Sequence, residues 1–158
     1  MLRYENERRR RRTTQELYEN EYTKTKTDFE RKRKVMEGRQ KARNFREYKV
    51  WQDAVAFATR IYMVTNKLPW FEKKGLCDQL QRAVVSISSN IAEGAGRPTD
   101  ADFAHFLDTA LGSAYEVETQ LLIANNIGYI DDNIYNELHT QIIEIECQLS
   151  SLIRSVRS

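Results

Sequence analysis

The residues best suited to chemistry lie in one stretch, SISSNIAEGAGRPTDADFAHFL at 86–107, which sets Asn90, Glu93, Arg97, Asp102 and His105 near three serines. A serine nucleophile needs a base within hydrogen-bond reach. Ser86, Ser88 and Ser89 have no histidine nearby in sequence and no Gly-x-Ser-x-Gly elbow around them. Their plainer reading is as small residues that let neighbouring helices approach. Gly94-Ala95-Gly96 lacks the preceding strand of a dinucleotide loop and reads as a helix stop, and no phosphate-cradling Gly-Lys-Ser/Thr loop occurs. Asp102 and His105 stand three apart on one predicted helix, but a carboxylate-bridged dimetal bundle requires two Glu-x-x-His pairs. The other histidine, His139, has Asn136 at that spacing. The pattern offers no catalytic residue, no cofactor and no metal site, so the expectation is a protein that is not an enzyme. Two readings stay open for the polar cluster. Asn90 and Glu93 hydrogen-bond across a helix corner with Arg97 paired to a carboxylate or helix-end carbonyls, or Arg97 projects toward phosphate or a partner protein.

The elements that must position this cluster follow from apolar spacing. Val50, Trp51, Ala54, Phe57, Ala58, Ile61, Val64 and Leu68 recur at steps of three and four, the period of an amphipathic helix, and Pro69 ends it or forces a turn. Leu76, Leu80, Ala83, Val84, Ile87 and Ile91 form a second such stripe, stopped by Gly94, Gly96 and Pro98. Thr99 reads as the N-cap of a third helix with Asp102 as its reciprocal partner. That helix carries Phe103, Phe106, Leu107, Ala110, Leu111, Ala114, Val117 and Leu121, and ends near Gly128. Asp131 or Asp132 caps a fourth, whose Leu138, Ile142, Ile145, Leu149, Leu152 and Val156 alternate steps of four and three. Four long helices with short connections predict an all-α, antiparallel up-down-up-down four-helix bundle over residues 45–158.

Charge divides the chain differently. Residues 1–47 hold 16 Lys and Arg against 9 Asp and Glu, whereas residues 48–158 hold 9 against 14. The arm over 1–44 contains an unbroken run, Arg8, Arg9, Arg10, Arg11 and Arg12, and a second block, Arg31, Lys32, Arg33 and Lys34. Guanidinium forks match phosphate geometry, and Tyr4, Tyr18 and Tyr22 could stack on unpaired bases, so RNA is the expected ligand. The alternative is a solvated, partly helical or disordered tail in which Glu5, Glu7, Glu16, Glu19 and Glu21 pair with the arginines. Cys77 and Cys147 fit small core residues in a reducing compartment, and no apolar run suits a membrane span or secretory signal. The expected location is cytoplasmic.

Several strings resemble one family. FREYKVWQDA at 45–54, containing Trp51, is similar to its opening motif. LPWFEKKGLCDQLQRAVVSISSNIAEGAGR at 68–97 resembles its central signature through Gln79, Arg82, Asn90, Glu93, Gly94 and Arg97. FLDTALGSAYEVETQLLIANNIGYI at 106–130 resembles its third-helix signature through Gly112, Ser113, Glu116 and Glu118. The family comprises bacterial four-helix-bundle proteins encoded by intervening sequences within 23S rRNA genes, with related accessory proteins of diversity-generating retroelements. The resemblance implies a homopentameric ring and, for the retroelement branch, a nucleic-acid-binding surface and a reverse-transcriptase partner. It supplies no catalytic residue. The retroelement proteins are basic over the bundle itself, whereas this bundle is acidic, so the ribosomal-insert branch is the nearer likeness. The arm lies outside the shared region.

Overall fold

The computed structural model describes residues 43–68 and 74–158. Pro69 and the two basic blocks, Arg8–Arg12 and Arg31–Lys34, lie outside the described residues, as does the arm expected over 1–44 except for Arg43 and Asn44. A 3-10 turn, Phe45–Glu47, leads into four α-helices: α1, Lys49–Thr65; α2, Leu76–Ala95; α3, Asp100–Asn126; and α4, Asp132–Arg157.

Consecutive helices pack side by side and α4 closes against α1, with no diagonal pair in contact among the described residues. Cross-helix bonds fix the directions. The Gln81 amide donates to the Thr65 hydroxyl at 2.8 Å, joining the end of α1 to the start of α2. Ser86 and Ser113 meet at 2.9 Å between α2 and α3. Arg60 donates twice to Glu137, at 3.1 and 3.0 Å, and Gln148 donates to Asp53 at 2.8 Å, so α4 runs against α1. This is the all-α up-down-up-down bundle that the apolar periodicity predicts.

The stripes become one core. Ile61, Leu80, Val84, Ile87, Ile91, Phe103, Leu107, Leu121, Leu138, Ile142 and Leu149 are almost wholly buried, each worth about 1.5–3 kcal/mol of transfer free energy. In α4 the stripe departs from the strict four-and-three alternation. Ile153 is buried while Leu152 and Val156 are only half-buried, because a straight helix of 3.6 residues per turn drifts off a 3.5 repeat. Cys77 is in the core but Cys147 is exposed. Cys147 stands on α4 two residues before Leu149, outside the apolar arc, which corrects its expected core placement.

The caps define the helix ends. The Thr99 hydroxyl oxygen accepts from the Asp102 backbone N–H at 3.0 Å. Asp102 does not reach back to the Thr99 backbone as a capping box would; instead the Thr99 hydroxyl donates to its carboxylate at 2.6 Å, the shorter Asp side chain finding a nearer partner. Asp131, not Asp132, caps α4, accepting from the Ile134 N–H at 2.9 Å. Gly128, at φ +76°, turns the chain out of α3. Replacing Thr99 or Asp131 with alanine should each cost about 1 kcal/mol, read as a drop of about 4 °C in Tm.

Candidate functional site

The signature residues assemble along the α2/α3 seam. The Asn90 amide donates to the Ser86 carbonyl at 2.8 Å and its hydroxyl at 2.9 Å, and Ser86 in turn meets Ser113. Three small polar side chains thus bridge the two helices in one chain of bonds. Neither Asn90 nor Glu93 crosses the corner as expected: Asn90 bonds Ser86 on its own helix. Glu93 likewise stays on its own side. It pairs with Arg97, four residues on in sequence, because both project from the same side of the α2 end. The Arg97 guanidinium lies 4.4 Å over the Phe106 ring, and its backbone carbonyl accepts from Arg43 at 3.0 Å. Arg43 pairs with Asp100 and covers the Phe103 ring at 4.7 Å. Two arginines therefore seal the corner by stacking on two phenylalanines. Arg97 is held by these contacts and does not project from the loop as a free cation.

Gly94 is not the helix stop. It lies inside α2, where a β-carbon would stand 2.6 Å from the Phe106 Cβ and 3.0 Å from the Phe103 ring. Its missing side chain sets how closely α2 and α3 approach. The helix instead ends at Ala95, with the Gly96 and Arg97 N–H groups bonding the Glu93 and Gly94 carbonyls.

The remaining singled-out residues scatter. Trp51 is half-buried and meets Phe45 edge-on at 5.1 Å between centroids. Gln79 is exposed. Arg82 bonds Asp78 within α2 at 3.1 Å, and Glu116 accepts from Gln120 at 2.9 Å. Gly112 is exposed in the middle of α3, and a β-carbon there would touch nothing within 4 Å. His105 is exposed. Among the described residues no three His, Cys, Asp or Glu side chains gather as a metal would require, and no helix is long and apolar enough to cross a membrane.

Residues 46–151 match the description "23S rRNA-intervening sequence protein". The chain belongs to the 23S rRNA-intervening sequence protein family. A solved member of the S23 ribosomal protein family, a protein of unknown function from Bacteroides thetaiotaomicron, is 31% identical, with a TM-score of 0.62. The likeness covers 66% of this chain and 97% of that one. No curated protein matches. The 23S rRNA-intervening sequence match therefore spans all four helices and both sides of the α2/α3 seam.

One feature of this family member escaped the sequence reading. His139 on α4 bonds Glu118 on α3 at 3.1 Å, and Glu146, on the same side of α4, is buried. The sequence signal was present: Glu146 follows Ile145 directly, at the border of the apolar stripe. Burial, reinforced by the negative charge of Glu118 and opposed by His139, pushes its carboxyl up to about 7. On the α1/α4 side, Asp53 accepts from Lys49 and from Gln148, and these bonds hold its carboxyl below the usual range against some burial.

Proposed function

We propose that this protein is a non-catalytic, self-assembling bundle that gathers its basic N-terminal arms on RNA. One observation carries the assembly: two outward surfaces nearly without charge lie on diagonally opposite helices. On α1, Gln52, Val55, Ala56, Thr59, Tyr62 and Met63, continued by Asn66 just past its end, form an exposed ridge without charge, bordered by the exposed Lys49 at the helix start. On α3, exposed Gly112, Tyr115, Thr119, Leu122, Ile123 and Ile127 flank Glu116 as the single charge. Two different surfaces on opposite sides of one subunit suit head-to-tail contacts, which close into a ring when the rotation allows. Five subunits is the number the family resemblance implies. Gly112 supports the same reading, since an open glycine in mid-helix costs about 1 kcal/mol relative to alanine and leaves room for another backbone.

Val55→Asp and Leu122→Asp should each reduce the assembly to monomer in analytical ultracentrifugation, with helical content unchanged. Each variant keeps one intact surface, so mixing them should restore a one-to-one dimer and nothing larger. A wild-type monomer, or a mixture that stays monomeric, would defeat head-to-tail assembly.

The RNA half of the proposal rests on the arm, with 16 Lys and Arg against 9 acidic residues over 1–47. Counterion release makes such binding fall steeply with salt. Filter binding to structured rRNA should weaken about a hundredfold or more between 50 and 200 mM salt for the full chain, while residues 45–158 should bind little at either. Equal affinities with a flat salt response would sink this half. The second role the resemblance raises, docking a reverse transcriptase, would use the uncharged ridges in place of self-contact. It predicts a 1:1 complex that Leu122→Asp or Val55→Asp abolishes.

A further inference from the structure

The α3/α4 seam holds a carboxyl that the fold leaves without a partner. Glu146 is only 8% exposed, and its Oε1 is buried with no hydrogen bond. It lies two turns beyond His139 on the same side of α4. His139 is held from both directions, by Glu118 at 3.1 Å and by the ring of Tyr135 at 5.3 Å between centroids.

The charged groups around Glu146 do not supply a permanent counter-charge. From α3 it meets Glu118, a like charge, while Asp108 further along that helix is taken by Arg157. From its own helix the facing group is His139, whose ring nitrogen is already taken by Glu118. The charges of α1 lie on the other flank of α4, where Lys49 pairs with Asp53 and Arg60 with Glu137. α2 does not pack against α4. With no metal-competent trio among the described residues, the ligand that fits a buried, unpartnered carboxyl beside a second carboxyl is a proton.

We propose that Glu146, with Glu118 and His139, makes the α3/α4 seam a proton-operated latch, closed while Glu146 carries its proton and loosened when it ionises. The mechanism follows from solvation. Neutral, the carboxyl is tolerated in the seam; ionised, it has no bond to offset lost hydration and faces the charge of Glu118. It must then draw water into the seam or swing outward, and α4 separates locally from α3. The sign is fixed by the raised carboxyl, about 7 when folded against 4.5 ordinarily. Over that interval the unfolded chain binds fewer protons at this carboxyl than the folded one, so the contribution of Glu146 to stability is greatest below about 4.5 and falls as pH rises toward 7. The same linkage applies to any opening that exposes Glu146 alone. The latch is independent of assembly and of RNA.

The test combines carboxyl titration by carbon NMR with amide exchange over residues 137–150, corrected for intrinsic rates. The signal removed by Glu146→Gln should titrate near neutrality in the wild type and move lower in Glu118→Gln. Protection across the seam should fall about tenfold between pH 6 and 8 in the wild type and stay level in Glu146→Gln. A Glu146 titration in the ordinary carboxylate range, or equal pH dependence in both proteins, would overturn the proposal. Should Glu146→Gln not fold, the seam carboxyl is still assigned by selective glutamate labelling, and its wild-type midpoint decides the matter.

Discussion

Gly94→Ala should destabilise the bundle by about 2–3 kcal/mol, although alanine is the better helix former by about 1 kcal/mol. The added methyl would stand 2.6 Å from the Phe106 Cβ, an atom fixed to the α3 backbone that no rotamer change can move away. Relief therefore requires α2 and α3 to separate, which weakens the Ser86–Ser113 bond further along the same seam. Denaturant midpoints measure the loss. Phe106→Ala keeps the offending Cβ and should not rescue the variant, whereas Phe106→Gly should recover part of it in a double-mutant cycle. A neutral or stabilising Gly94→Ala would show that the seam yields and that Gly94 does not set the approach of α2 to α3. The opposite sign is expected at Gly112, where the alanine methyl meets nothing. There the isolated subunit should gain about 1 kcal/mol.

Phe103→Ala is the larger loss, about 3–5 kcal/mol, enough to leave little of the 5–15 kcal/mol typical of a domain. Phe103 is fully buried, stacks with the Tyr48 ring at 6.0 Å between centroids and lies beneath Arg43. Its removal opens a cavity at the point where the 3-10 turn, α2 and α3 converge. A second readout separates this from general loosening. Burial raises the Tyr48 phenol above its ordinary value of 10.0 against the pull of Arg43. Water entering the cavity should bring that phenol back down in an ultraviolet titration. A loss below 1 kcal/mol with Tyr48 unaltered would mean that the corner does not depend on this ring.

The two predictions fall on opposite sides of what sequence reading could reach. Phe103 was legible as core because apolar spacing is a local property: residues three and four apart share a helical face whatever the rest of the chain does. Thr99 was legible for the same reason, and the cap of α4 to within one residue, Asp131 or Asp132, since a cap bonds an N–H three residues away. Gly94 was misread because a glycine near a helix end has the same local appearance whether it terminates the helix or admits a neighbour. Only the position of Phe106, brought back by the turn at 96–99, separates the two. Glu93 was misplaced in a similar way. Its alternatives, across the corner or along its own helix, differ in geometry that a linear spacing does not contain.

By itself the sequence determined four amphipathic helices, the Thr99 cap, the split between a basic arm and an acidic bundle, and the motifs of the 23S rRNA-intervening sequence proteins. Each of these depends on composition or on residues within a turn or two of one another. Tertiary structure decided that Gly94 is a point of close approach, that the uncharged ridges face outward from diagonal helices, and that Glu146 lies buried without a partner beside Glu118. These depend on which side of each helix meets which neighbour. That is set by packing between residues tens of positions apart, where a shift of one residue in helix phase would turn a buried acid into an exposed one.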